Sequence, residues 1–196
     1  MDTEIEAKFL NVSHDNIRGL LKELSATLVS SQREMKRKNF DYPDHRLEKV
    51  GGWVRLRNEG DKVTLAYKQL NDRTLHGMKE VSADVNSFGA AEQLLLAIGL
   101  AQTSYQETRR ESWLLDGVQI ELDEWPWIEP FIEIEGPSEV GVRTAAQKLG
   151  LDWQSAVFGS VEILYMTTYN VSEEEVDSWP EIAFGPIPDW LEAKRK

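Results

Sequence analysis

Apolar and polar residues alternate with a period of two along much of this chain, and that alternation predicts β-strands. In the first such segment, Glu4 to Phe9, every second residue is charged and the residues between are apolar. Gly60-Asp61 and Asp116-Gly117 each separate two such segments and are typical of β-hairpin turns. The predicted strands span residues 4–9, 28–40, 53–58, 62–69, 78–85, 104–115, 117–124 and 131–135.

Between the strands, apolar residues three and four positions apart predict amphipathic helices. Ser13 and Ser87 stand where N-caps belong, and Gly99 and Gly150 stand where the second and third helices end. The predicted helices span residues 13–26, 87–98, 139–149 and 160–169. The pattern predicts an α+β fold with a large antiparallel sheet, open or closed into a barrel.

The charged faces of the predicted strands are sorted by sign. Acidic pairs occur at Glu4/Glu6, Glu121/Asp123 and Glu133/Glu135, whereas Arg55, Arg57 and Lys68 are basic. Each strand taken alone fits the solvated face of an open sheet. Taken together, the strands also fit a closed barrel with its charges inside, because like charges on neighbouring strands of an open face would repel.

A charged barrel interior would need counter-charges, since an unpaired buried charge is costly. Clustered carboxylates favour divalent cations, and clustered arginines favour phosphate oxygens. A polyphosphate with bound magnesium would satisfy both sets.

Composition narrows the possible functions. The absence of cysteine excludes disulfides and thiolate metal sites, and three histidines argue against a histidine-based site. A metal would therefore be held by oxygen ligands. The formal net charge of −12 argues against nucleic-acid binding. We also expect no membrane partner and a cytoplasmic location, because there is neither an apolar stretch of membrane-spanning length nor a signal-peptide pattern.

The charge is unevenly distributed along the chain. Residues 1–80 carry 15 Lys or Arg against 13 Asp or Glu, whereas the remainder carries 7 against 21. The chain from Ser172 onward is acidic and rich in Trp and Pro. We expect one domain over residues 1–170 and a C-terminal tail, residues 171–196, that packs back on it.

The strand motifs, taken in order over roughly residues 2–170, resemble the CYTH superfamily, the triphosphate tunnel metalloenzymes. Glu4-Ile-Glu-Ala-Lys8 is similar to the Glu-x-Glu-x-Lys signature of that family. The later motifs that carry the resemblance are Arg55-Leu-Arg57, Leu65-Ala-Tyr-Lys68, Glu80, Arg110, Glu121-Leu-Asp123 and Phe131-Ile-Glu-Ile-Glu135-Gly136.

The resemblance implies an eight-stranded antiparallel β-barrel, a triphosphate tunnel with a charged interior and flanking helices. It implies Mg²⁺ or Mn²⁺ as cofactor and catalytic roles for Glu4, Glu6 and Lys8. By the same resemblance, the phosphate-binding residues are Lys8, Arg55, Arg57, Lys68 and Arg110. The implied metal ligands are Glu4, Glu6, Asp123, Glu133 and Glu135. Secondary members of the site are Glu80, Glu121 and Arg109.

Two stretches depart from the family pattern. The family often has a Lys two residues before the Arg of the sixth strand, where this chain has Thr108, with Arg109 on the opposite face of the strand. A basic stretch, Arg33 to Lys38, replaces an acidic or Gln-rich strand. One of its residues could enter the tunnel, but we favour a solvated edge strand, in which lysines discourage pairing.

The resemblance implies metal-assisted hydrolysis of inorganic triphosphate or of an organic triphosphate such as thiamine triphosphate. The alternatives are an adenylate cyclase that makes cyclic AMP and pyrophosphate, and a polyphosphate-binding module without turnover. The cyclase type often has His-Phe before its first motif, whereas Met1-Asp2-Thr3 precede it here. Protein binding by the aromatic tail is a fourth hypothesis. Homodimers are common in the family, but nothing in the sequence requires one.

Overall fold

Eight antiparallel strands close into a barrel in the computed structural model, which describes all 196 residues. The barrel order is β1-β5-β4-β3-β2-β6-β7-β8, and β8 returns to β1. The closed barrel is thus confirmed, and the open sheet is wrong. The barrel strands are β1 Asp2–Phe9, β2 Thr27–Asp41, β3 Gly52–Asn58, β4 Val63–Leu70, β5 Met78–Val85, β6 Ala101–Leu115, β7 Val118–Glu124 and β8 Phe131–Gly136.

Two pairings close the barrel. β2 and β6, each 15 residues long, pair along most of their length. β1 pairs with β5 through its first residues and with β8 through Ile5 to Phe9. The second register sets Glu6 opposite Glu135 and Lys8 opposite Glu133, so charged side chains from the two ends of the barrel sequence become neighbours.

The helices cover the apolar outer face of the barrel. Ser13 and Ser87 cap the first two helices, as predicted, by accepting hydrogen bonds from the backbone N–H groups of Asn16 and Ala90. The helices are α1 His14–Glu23, α2 Phe88–Ala97, α3 Glu139–Lys148, α4 Glu162–Thr168, α5 Glu173–Asp177 and α6 Asp189–Glu192, with 3₁₀ turns at Glu48–Val50 and Trp153–Ser155. None of these helices has the length and apolar composition needed to cross a membrane.

Two apolar clusters hold the helices on the barrel. One lies between α1, α3 and the outer faces of β1, β7 and β8, and it includes Phe9, Leu21, Ile134 and Val142. The other joins α2 to β2 and β3 through residues such as Phe40, Leu56 and Leu95. Because apolar side chains face the helices, the alternate positions of the same strands face the barrel interior.

The C-terminal segment packs against one end of the barrel. A short ninth strand, β9 Glu181–Ile182, lies parallel to β6 and was not predicted. Trp179 and Leu191 pack with Tyr165 of α4 and Trp125 in a third apolar cluster. This cluster includes residues on both sides of position 170, so the domain boundary there stays a prediction.

Candidate functional site

The barrel encloses a charged cavity of about 870 Å³. Its lining comes from alternate positions of the strands, so the charges of the first strand motif face inward. Of the residues predicted to form the site, those that line the cavity are Glu4, Glu6, Lys8, Arg55, Arg57, Lys68, Glu80, Arg110, Glu121, Glu133 and Glu135.

Three carboxylates on β1 and β8 form the carboxylate triad, which consists of Glu6, Glu133 and Glu135. Their oxygens lie within 4.8 Å of one another. Burial, followed by the neighbouring charges of Glu133 and Glu6, raises the pKa of Glu135 to about 7. Carboxylate oxygens are hard donors, and a divalent cation such as Mg²⁺ or Mn²⁺ would neutralise the repulsion among them.

Lys8 lies beside the carboxylate triad. Its Nζ is 2.6 Å from Glu6 Oε1 and 3.3 Å from Glu133 Oε2. Burial disfavours the charge on Lys8, yet Glu133 and Glu6 outweigh burial and raise the pKa of the ammonium. In the same way, Lys8 and Arg110 hold the pKa of the Glu133 carboxyl below its ordinary value against the effect of burial. The two groups therefore keep each other ionised.

Glu4 lies inside the cavity but outside the triad. Lys68 Nζ is 2.7 Å from Glu4 and 2.9 Å from Glu80, so two carboxylates share one ammonium. At Glu4 burial dominates and raises the pKa. At Glu80 the charges of Lys68 and Arg55 outweigh burial and lower the pKa. As placed, Glu4 is the partner of a lysine, whereas it was predicted to be a metal ligand.

Asp123 is also engaged by a cation. It is almost completely buried. Arg110 donates hydrogen bonds to both of its oxygens, from Nε to Oδ1 at 2.7 Å and from Nη2 to Oδ2 at 2.6 Å. Such a bidentate pair is strong and fixes the plane of the guanidinium. Glu121, two residues away on the same face of β7, lies opposite Glu133 in the register, and burial raises its pKa.

The cavity also has a basic wall of five arginines on β2, β3 and β6, and this wall adjoins the triad where Arg110 Nη2 lies 3.6 Å from Glu133 Oε1. The five residues of the basic wall are Arg33, Arg37, Arg55, Arg57 and Arg110. The register sets Arg37 opposite Arg57 and Arg33 opposite Arg110, so like charges are adjacent across two strand pairs. A wall of this kind attracts a polyanion.

Two residues of the basic wall contradict the favoured interpretation of the stretch Arg33 to Lys38. That stretch was expected to form a solvated edge, but β2 pairs with both β3 and β6 and is therefore not an edge strand. Arg33 and Arg37 face inward while Lys36 and Lys38 face outward. Both faces of the strand carry positive charge, so the alternation of polarity gave no signal.

Glu59 is a member of the site that sequence reasoning missed. It follows β3 and is buried, and its Oε1 accepts hydrogen bonds from Arg57 and Thr64. Its Oε2 lies 3.5 Å from Arg33 Nη2, so one carboxylate neutralises two arginines of the basic wall. Glu59 lies between the predicted strand 53–58 and the Gly60-Asp61 turn, so it was outside the segments whose alternation was interpreted.

Arg109 does not join the cavity lining, which corrects the expectation that it belongs to the site. It lies on the outer face of β6, where its guanidinium covers the ring of Phe184 at 4.1 Å and approaches Glu34 and Glu124. Thr108, on the inner face, is fully buried and accepts a hydrogen bond from Arg37. The positive charge near position 108 thus comes from β2, the neighbouring strand.

Helices α4 and α5 supply acidic side chains at one mouth of the cavity. Glu162, Glu173, Glu174 and Asp177, from α4 and α5, line this mouth together with Glu48. Burial and the neighbouring carboxylates raise the pKa of Asp177. This mouth is therefore strongly negative, in contrast to the basic wall inside.

Comparison with known proteins identifies a family for this chain and other proteins that share its fold. The family model for the CYTH domain matches residues 2–157. No curated protein matches the sequence.

Several solved structures share the fold at low sequence identity. A protein from Pyrococcus horikoshii OT3 is 22% identical, with a TM-score of 0.65, over 78% of this chain and 93% of that one. A candidate adenylate cyclase from Vibrio parahaemolyticus is 15% identical, with a TM-score of 0.73, over 84% and 98%. A candidate adenylyl cyclase from Hippeastrum, described as having a dominant triphosphatase activity, is 14% identical, with a TM-score of 0.59, over 82% and 91%.

Proposed function

Because this chain belongs to the CYTH domain family, with residues 2–157 as its CYTH domain, we propose that it hydrolyses a triphosphate with the help of a divalent cation. The observation that carries the proposal is that the carboxylate triad and the basic wall line the same cavity. A triphosphate with its cation carries both signs of charge and complements both sets of side chains.

Arg55, Arg57 and Arg110 would bind phosphoryl oxygens and hold the phosphate chain in line for attack by water. Arg57 and Arg110 are already fixed in orientation by Glu59 and Asp123, so little side-chain entropy is lost when they bind. Lys8, which lies beside the triad and lines the cavity, would neutralise the oxygens nearest to the carboxylates. These roles are the ones that the motifs predicted.

The carboxylate triad would hold Mg²⁺ or Mn²⁺. When bound, such an ion neutralises charge on the phosphoryl oxygens. Glu121 lies beside the triad and faces the same cavity, so it is the next carboxylate within reach. Glu4 and Asp123 were also predicted as metal ligands, and they contact Lys68 and Arg110 in the structure.

A second candidate function is cyclisation of ATP to cyclic AMP and pyrophosphate, since structural neighbours include candidate adenylate cyclases. The same basic wall and carboxylates would serve that reaction, because it also breaks a phosphoanhydride within a triphosphate chain. Proteins described by each of the two activities share this fold, so the fold does not choose between them. Analysis of the reaction products distinguishes the two reactions.

The deciding experiment gives the purified protein Mg²⁺ or Mn²⁺ with inorganic triphosphate, thiamine triphosphate and ATP in parallel. We expect orthophosphate from one of the first two and no cyclic AMP from ATP. Cyclic AMP with pyrophosphate would replace hydrolysis by cyclisation. Tight binding of triphosphate without any product would identify a binding module.

A matched pair of variants tests the carboxylate triad. Glu133→Gln removes one charge of the triad, and we expect phosphate release to fall by at least about 100-fold while the protein stays folded. Glu124→Gln removes a charge from the outer face of β7, where Glu124 contacts Gln32 and Arg109, and should leave the rate unchanged. Equal rates in the two variants would contradict the assignment of the triad.

A further inference from the structure

Arg37 is a buried arginine without a counter-charge. Its side chain is 8% exposed, and no carboxylate lies within 4.0 Å of it. The other buried lysines and arginines all have one: Lys8 has Glu6 and Glu133, Lys68 has Glu4 and Glu80, and Arg55 has Glu80 at 3.4 Å. Arg37 is thus the exception in a site where cations are otherwise paired.

The surroundings of Arg37 increase the imbalance. Arg57 is directly opposite in the register, and Arg55 and Arg110 are close enough to act on it. Burial first, and then these three arginines, depress the pKa of the Arg37 guanidinium, and the Asp123 carboxylate, which is more than 4.0 Å away, offsets them only in part. A desolvated cation among cations costs free energy unless an anion joins it.

The protein holds the Arg37 side chain in a defined position. Nη2 donates to Thr108 Oγ1 at 3.0 Å, and the guanidinium lies over the ring of Trp125, 4.6 Å from its centroid. Nε is buried and has no hydrogen-bond partner. The side chain is therefore fixed by two neutral groups, while part of its donor fork remains free at the cavity.

We propose that Arg37 is a phosphate-binding residue of the tunnel, and that a phosphoryl group of the substrate is its missing counter-charge. The inference rests on the proposed function, since it takes a polyphosphate as the ligand. A guanidinium forms charge-assisted hydrogen bonds to phosphate oxygens with its planar fork, and Arg37 has donors available for that contact. Arg37 would thereby add a phosphate-binding residue to those that the motifs predicted.

For the variant Arg37→Met we expect no loss of stability in the absence of ligand, but a loss of affinity for triphosphate. Without ligand, the melting temperature should be unchanged or higher, because an unpaired buried charge has been replaced by an apolar side chain of similar length. With inorganic triphosphate and Mg²⁺, the dissociation constant should rise by about 10- to 100-fold, the effect of losing hydrogen bonds to a charged group. Differential scanning calorimetry and isothermal titration calorimetry measure the two quantities.

The matched control is Lys36→Met. Lys36 is next to Arg37 on β2 but faces outward, with its side chain 53% exposed and near Glu34 and Glu107. This variant changes the net charge by the same amount as Arg37→Met. Because Lys36 faces away from the cavity, its loss should leave the affinity for triphosphate unchanged. A loss of affinity equal to that of Arg37→Met would show a general charge effect and overturn the proposal.

Binding measurements on three proteins separate a failure of the proposed function from a failure of the role of Arg37. If the wild-type protein does not bind triphosphate, the proposed function fails. If Arg57→Met weakens binding but Arg37→Met does not, the proposed function stands and the role of Arg37 is overturned. If Arg37→Met lowers the melting temperature without ligand and leaves the affinity intact, the contacts with Trp125 and Thr108 are structural, and the proposal is likewise overturned.

A measurement on the wild-type protein covers the case in which Arg37→Met does not fold. The Nε–H resonance of Arg37, identified as the signal absent from the spectrum of Arg37→Lys, reports on the electronic state of the whole guanidinium. We expect this resonance to shift when triphosphate and Mg²⁺ are added, because a phosphate oxygen that binds the free Nη1–H groups polarises the guanidinium. A resonance that stays in place at saturating triphosphate would overturn the proposal.

Discussion

At the residue scale, the carboxylates of the tunnel differ in whether each has a cation of its own. Asp123 has Arg110, and Glu80 has Lys68 and Arg55. Glu135 has no ion-pair partner and lies beside two other carboxylates, so burial and repulsion raise its pKa to about 7. In the absence of a metal, this carboxyl group is where the negative charge of the triad is least tolerated.

A pH dependence of stability follows from Glu135 when the protein is kept free of metal by a chelator. The folded-state pKa lies above the ordinary value of 4.5, so the folded state binds the proton more tightly than the unfolded state. The stability from this group is complete below about pH 4.5 and is lost as the pH rises through about 7. We expect the melting temperature to fall as the pH rises from about 4.5 to about 7.

The variant Glu135→Gln should reduce that fall, because its amide does not titrate. Glu23→Gln, which alters an exposed carboxylate of α1, should retain the wild-type pH dependence. Identical pH profiles for Glu135→Gln and the wild type would contradict the raised pKa of Glu135.

At the scale of single elements, the β6–β7 hairpin depends on a turn with left-handed backbone geometry. Asp116 and Gly117 have φ of 52° and 81°, which suits glycine and strains most other residues. Gly117→Ala should lower the free energy of unfolding by about 1–2 kcal/mol, although a Cβ there would contact nothing within 4 Å. Urea denaturation measures the change.

Gly19→Ala is the control for that prediction. Gly19 is exposed within α1, and a Cβ added there would likewise meet nothing within 4 Å, but its backbone is helical. Alanine should therefore raise the free energy of unfolding there by about 0.5–1 kcal/mol. Changes of the same sign in the two variants would mean that backbone conformation does not decide the outcome.

The inward faces of some strands could be predicted from the sequence, and those of others could not. The strands with one charged and one apolar face, such as β1 and β8, were predicted with their inward faces, because the period of two carries that information. β2 was misjudged because Arg37 and Lys38 are both basic, and only its pairing with β6 decides which one is inside. β9, with two residues, is too short to leave a periodic pattern.

The site was predicted as a set of residues but not as a set of contacts. Asp123 and Glu135 belong to similar acidic strands, yet the β6–β7 register gives Asp123 to Arg110 and leaves Glu135 in the triad. Register between strands that are distant in sequence is set by the whole barrel. A single chain without aligned relatives does not contain that information in local form.

At the scale of the whole molecule, the C-terminal segment is joined to the barrel by aromatic packing. Trp179 is 6% exposed and packs edge to face on Tyr165, with ring centroids 5.3 Å apart. Trp179→Ala should lower the free energy of unfolding by about 3–5 kcal/mol, because it leaves a cavity in this cluster. Urea denaturation followed by circular dichroism provides the measurement.

Trp190→Ala is the matched control, since Trp190 packs against the ring of Trp179 but is 48% exposed. Its loss should cost about 1 kcal/mol or less, in proportion to the smaller apolar area removed from water. Equal and small effects of the two substitutions would mean that the segment contributes little to stability.

The pairing of β1 with β8 has a consequence for the order of assembly. The first strand leaves the ribosome long before residues 131–136, with which Ile5 to Phe9 pair. Until then, Phe9 and its apolar neighbours lack the outer-face packing that α3 provides, and Glu6 lacks the other carboxylates of the triad. Contacts of such sequence separation slow folding and leave an unpaired strand exposed during synthesis. Closure of the barrel and its tunnel therefore waits until β8 is available to pair with β1.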